Sequence, residues 1–179
     1  MWVAVVAELI YTPDGTVSGV REAWTFDDMF SAFATRGIEQ KTQGTFAREE
    51  LDPVAKSYIE ALKDFSYFTY ARLDGDKRAD AFADPVDFFF DYEPSKSLLT
   101  LHFTLPFKIP APAKSLDVQI FDPKLFFYLA FARDDPVRLV GAPAQCVSSV
   151  KKLNEATPET GSIAGTVTTS TSSIWVKCP

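Results

Sequence analysis

Two-residue alternation in three segments, 86–92, 99–105 and 116–120, is the strongest constraint on how this chain can fold. Val86, Phe88, Phe90 and Tyr92 alternate with Asp87 and Asp91. Leu99, Leu101, Phe103 and Leu105 alternate with Thr100, His102 and Thr104, and Leu116, Val118 and Ile120 with Asp117 and Gln119. Successive strand side chains point to opposite faces, so each segment has one apolar side that must be buried. A helix cannot use a period of two. The middle of the chain is therefore sheet.

The flanks extend this pattern. Residues 2–11 and 16–26 read as two strands joined by the Pro13-Asp14-Gly15 turn. The period then changes. Met29, Phe30 and Phe33 fall on one helical face, with Thr25 or Asp27 as the cap, and Leu51, Val54, Ala55, Tyr58, Ile59 and Leu62 give a second helix over about 48–64. Residues 66–73 are rich in strand formers and stop at Asp74-Gly75-Asp76. Residues 125–132 are apolar almost throughout, as in a strand covered on both sides. Short strands are expected near 136–140, 145–153 and 164–178. Ile163, Val167, Ile174 and Val176 make the Ser/Thr-rich stretch part of a final hairpin rather than a linker. The expected fold is mainly β (α+β), an antiparallel β-sandwich-like single domain over 1–179 with a helix-loop-helix insertion at 27–64.

Charge and length exclude several roles. A net charge of −6, with no basic run, fits neither nucleic acid nor an anionic membrane surface. No stretch reaches the roughly 18 apolar residues of a membrane-spanning helix. Residues 1–10 are apolar but lack a basic start and a small-residue cleavage site, so they read as a strand whose leader was removed.

The two cysteines, Cys146 and Cys178, form no CxxC, and a zinc site would need two more ligands with His102 as the one imidazole. An even pair is better read as a disulfide made in an oxidising compartment; two separate buried thiols are the alternative.

Residues 39–50 have the length of an EF-hand loop. Gly44 stands at the sixth position, Phe46 at the eighth and Glu50 at the twelfth. Glu39, Lys41 and Gln43 occupy the first, third and fifth, where an ammonium repels a divalent cation. The loop is a degenerate EF-hand, and calcium is not expected in it.

His102 could ligate a transition metal with Asp87 or Asp91, or sit with Thr100 and Thr104 on a polar strand face. GxSxG, HExxH and glycine-rich phosphate loops are missing from the sequence. The acidic pairs Asp27-Asp28, Glu49-Glu50 and Asp134-Asp135 each have a cap or turn explanation, so no enzyme is expected. Trp24, Phe26, Phe88 and Phe90 are candidates for a docking surface, since Phe88, Phe89 and Phe90 cannot all face one core.

The segments Glu22-Ala23-Trp24-Thr25-Phe26-Asp27, Arg48-Glu49-Glu50-Leu51, residues 65–70, Leu101-His102-Phe103-Thr104-Leu105-Pro106 and Phe121-Asp122-Pro123 occur in this order, followed by Cys146. With them the chain resembles a family of bacterial periplasmic proteins. That family is described as the periplasmic component of a putative ABC-type or metal transport system, often encoded beside nickel/cobalt-type permeases. The resemblance implies export by a cleaved leader, a mainly β fold and a periplasmic, non-catalytic part in nickel, cobalt or zinc handling. It implies an inner-membrane metal permease as partner, and zinc or nickel bound near the Trp24–Asp27 segment with Asp27 as a ligand. Members commonly carry a His-Pro-His segment before the Trp-Val strand and an acidic loop where this chain has Glu39, Lys41 and Gln43. Neither is present here. The reading from another class is an interaction module with no metal role.

Overall fold

The computed structural model describes residues 1–78, 81–156 and 168–179. Eleven strands among them form two sheets: β1 (Trp2–Tyr11), β2 (Thr16–Phe26), β3 (Thr69–Leu73), β4 (Asp76–Arg78), β5 (Val86–Glu93), β6 (Leu98–Pro112), β7 (Ser115–Ile120), β8 (Tyr128–Phe131), β9 (Val137–Val140), β10 (Val147–Ala156) and β11 (Thr168–Lys177). The first sheet runs β5-β6-β2-β1-β8, with β9 also on β1, and the second runs β10-β11-β7-β3-β4.

The first hairpin forms where the alternation places it. Val3, Val5, Ala7, Leu9 and Tyr11 turn inward, and the Asp14 carboxylate accepts from Thr12 Oγ1 and from the Thr16 N–H to fix the turn. Gly19 marks an irregularity in the β2–β6 register. A Cβ there would stand 2.8 Å from the Leu105 carbonyl oxygen, so only glycine lets the strands approach.

Helices α1 (Asp28–Ala34) and α2 (Arg48–Lys63) follow β2. The α2 stripe is as expected, with Leu51, Ala55, Ile59 and Leu62 buried. The α1 face is not. Phe30 packs on Phe26 and Tyr58 at 4.4 and 5.3 Å, but Met29 and Phe33 are 78% and 66% exposed. A seven-residue helix presents one narrow contact, and Ser31 fills the rest by accepting the Leu99 N–H.

Three further expectations are corrected. Residues 66–68 are a left-handed turn, not strand, with φ of 53°, 53° and 50° at Ser66, Tyr67 and Phe68. Residues 125–127 are not strand either. The buried Asp122 carboxylate accepts the N–H groups of Lys124, Phe126 and Phe127 at 2.8–3.0 Å, which curls the chain and leaves Leu125, Phe126 and Tyr128 exposed. Pairing is also not wholly antiparallel. Strands β8 and β9 lie end to end along β1 and run parallel to it, because the chain returns to that edge after β7.

The final hairpin is β10–β11, with Val147 opposite Lys177, and the Cys146–Cys178 disulfide closes its open end. Ile163 and Val167 lie outside the described residues. One apolar cluster joins both sheets and α2: Trp24 meets Phe103 edge-on at 5.2 Å and stacks on Phe68 at 6.5 Å, while Leu116, Val118 and Ile174 approach from the second sheet.

Candidate functional site

Two of the acidic candidates, Glu50 and Asp27, accept backbone N–H groups. Glu50 is in the first turn of α2, and its two oxygens accept the Ala47 N–H at 2.6 Å and the Lys41 N–H at 2.8 Å. These bonds keep its carboxyl below the ordinary range. Asp27 accepts the Trp2 N–H and the Phe30 N–H, both at 2.8 Å, tying β1 to the start of α1. The bond from Trp2 is the first cause of its lowered pKa. Glu39 is exposed on the loop.

His102 lies on the polar face with Thr100 and Thr104, stacked on Phe89 at 4.6 Å; Phe89 in turn carries the Arg48 guanidinium 3.3 Å from its centroid. Burial lowers the imidazole pKa, against the pull of Asp91, so the ring is neutral near pH 7. No group of three or more His, Cys, Asp or Glu side chains among the described residues could surround an ion. Among the described residues Asp27, Glu39, Glu50 and His102 belong to no such group.

Removing Asp27 therefore has a structural effect. Asp27→Ala should lower stability by about 1–2 kcal/mol, the usual worth of an N-cap, while leaving zinc and nickel affinity unchanged. Urea unfolding beside metal titration checks both. A loss of metal affinity with unchanged stability would restore the ligand role.

The docking surface expected from Trp24, Phe26, Phe88 and Phe90 is also corrected. Trp24, Phe26 and Phe90 are buried in the core; Phe88 shares the parity of Phe90 but lies in the register irregularity between Val86 and Phe89, where Asp87 has φ 53°, and stays 36% exposed.

The concave site lies elsewhere, beside β3. A cavity of about 840 Å³ is lined by Lys63, Arg72, Lys77 and Lys108, by the aromatic rings of Tyr67, Tyr70, Phe82 and Phe121, and by Asp84. Lys63 pairs with Asp84 at 2.8 Å, and that contact raises the Lys63 pKa. Burial raises the pKa of Tyr67 and Tyr70, which keep their hydroxyl hydrogens as donors at neutral pH. The wall at Ser66 and Tyr67 is the left-handed turn. Three successive non-glycine residues there cost about 1–2 kcal/mol each, and such strain persists only where packing over-determines it. Phe68 supplies that packing through Phe65, Trp24 and Phe127.

Below the turn is a buried acid. Glu22 Oε2 accepts from Trp24 Nε1 at 2.7 Å, and Oε1 lies 2.9 Å from Thr69 Oγ1, which also lies 2.9 Å from the Tyr67 carbonyl oxygen. A carbonyl only accepts, so the single Thr69 hydrogen satisfies Tyr67 when Glu22 is itself protonated and donates to Thr69. Burial pushes the Glu22 pKa up to about 7. Sequence reading missed this residue, yet Glu22, Trp24 and Phe26 share one parity, which already places the carboxyl on the core side. It also missed the cavity, whose cations come from separate segments of the chain.

A protein-family model described as "Protein of unknown function (DUF1007)" matches residues 1–172. No curated protein matches the chain.

Proposed function

The chain belongs to the DUF1007 family, and we propose that it is a non-catalytic periplasmic accessory protein of transition-metal transport, acting by binding. The observation that carries the binding role is the cavity beside β3. It is large enough for a small molecule, walled by a strained turn and lined by donors, whereas Asp27 and Glu50 outside it are taken up in helix caps. The disulfide fits a location outside the cytoplasm, and no helix among the described residues is long and apolar enough to cross a membrane. The link to nickel, cobalt or zinc and to an inner-membrane permease rests on the resemblance carried by the Glu22–Asp27, Leu101–Pro106 and Phe121–Pro123 segments. A sandwich-like packing of the two sheets and an EF-hand-like origin for residues 27–64 belong to the same reading.

The test is metal uptake in cells lacking the gene. Uptake of radioactive nickel, cobalt or zinc should fall several-fold and recover with the gene restored. Unchanged uptake of all three metals contradicts the accessory role. One surface favours the other reading, an interaction module without a metal role. Met1, Trp2, Leu125, Phe126 and Tyr128 are exposed, and Trp2 faces Tyr128 across the β1–β8 ladder. Unchanged uptake together with weaker pull-down of one defined protein by a Trp2→Ala, Phe126→Ala variant would favour that module.

A further inference from the structure

Lys63, Arg72, Lys77 and Lys108 gather around one cavity in a chain whose net charge is −6. Among the described residues of the lining Asp84 is the acid, and it is paired with Lys63. Arg72 and Lys77 are direct partners across the β3–β4 ladder. Like charges set opposite each other destabilise a strand pair, so this placement works against the fold. A lysine on the edge strand β4 has a structural use, since it discourages pairing with another chain. That does not explain Arg72, because β3 is an inner strand between β7 and β4.

On its other side Arg72 faces Asp117 across the β3–β7 ladder. Burial raises the Asp117 carboxyl pKa, and the facing Arg72 charge acts against that rise. Neither Arg72 nor Lys77 forms a close ion pair with a described residue. The rest of the lining has a different chemistry. Phe82 and Phe121 offer apolar faces, and Tyr67 and Tyr70 offer hydroxyl donors. The volume, about 840 Å³, is in the range of small-molecule sites and far above what a bare ion fills.

We infer that this cavity binds a small organic anion with two or more acidic groups, which Arg72 and Lys77 hold while Phe82 and Phe121 pack its carbon frame. Arg72 supplies the forked donor that suits carboxylate or phosphate, and Lys77 a point charge beside it. The same lining repels a bare divalent cation. A transported metal could enter only as an anionic chelate, and that one extension rests on the accessory reading.

Calorimetry of the full chain at low ionic strength tests this with citrate, nickel citrate, a hexose bisphosphate and nickel chloride. Saturable binding of citrate or the bisphosphate is expected, weakened by added salt and reduced about tenfold or more in an Arg72→Gln, Lys77→Gln variant with an unchanged circular dichroism spectrum. The citrate and bisphosphate arms separate a carboxylate ligand from a phosphate one, and nickel citrate binding supports the chelate. The inference is overturned by no saturable heat from any organic anion, or by equal affinity in the folded variant. Bare nickel binding that depends on these two residues overturns it as well. Metal uptake in gene-deleted cells is read independently, so failure here is distinguishable from failure of the transport role.

Discussion

Glu22→Gln should stabilise the protein by about 3 kcal/mol at pH 8 and leave it nearly unchanged at pH 4. In the native protein the Glu22 pKa is raised by burial to about 7, from an ordinary value of 4.5. Between those values the folded state holds a proton that the unfolded state has released. Stability therefore falls as pH rises through this window, and the loss is complete above pH 7. A shift of this size corresponds to about 3 kcal/mol. Glutamine removes the titration and keeps the network: its oxygen accepts from Trp24 Nε1, its amide donates to Thr69 Oγ1, and Thr69 donates to the Tyr67 carbonyl. Asp117, also raised by burial, adds a slope of the same sign that stays in the variant. The readout is thus the difference between two urea-derived stability curves from pH 4 to 8. Parallel curves across the window would show that Glu22 is ionised in the fold.

Loss of the disulfide should lower stability by roughly 3–4 kcal/mol, the chain-entropy value for a loop closed over a separation of 32 residues. Among the described residues strand β10 is the outer strand of the second sheet and pairs along its length with β11. The disulfide sits just before Val147 and just after Lys177, where it fixes the register of that pair. A Cys146→Ser, Cys178→Ser variant should accordingly unfold at markedly lower urea, and hydrogen exchange should rise first in β10. An unchanged midpoint would mean that the β10–β11 ladder needs no covalent link.

What could be read from the sequence divides along a physical line. Local periodicity and turn chemistry carry short-range information. Strands β1 and β2, the α2 stripe, the Asp27 cap and the paired cysteines were legible for that reason. Residues 66–68 and 125–127 were not, because their strand-forming side chains are overruled by tertiary partners. Phe65, Trp24 and Phe127 pin the first segment, and the Asp122 carboxylate bends the second. In the EF-hand-length loop, Glu50 suits a capping box as well as a metal, and spacing alone does not distinguish them. In the cavity, only the Arg72 and Lys77 pairing across Asp74-Gly75 was accessible from turn logic. Lys63, Lys108 and Phe121 reach the same space through long-range topology, which no local pattern encodes.

The proposed role requires a sheet-built body whose sulfurs are oxidised outside the cytoplasm. Counting thiols in denatured protein taken from its native cell envelope, with an alkylating agent present from lysis onward, tests that most directly. The predicted result is no free thiol until a reductant is added, and then both Cys146 and Cys178. Two reactive thiols before reduction would contradict it, removing the closure of the final hairpin and the ground for a periplasmic role.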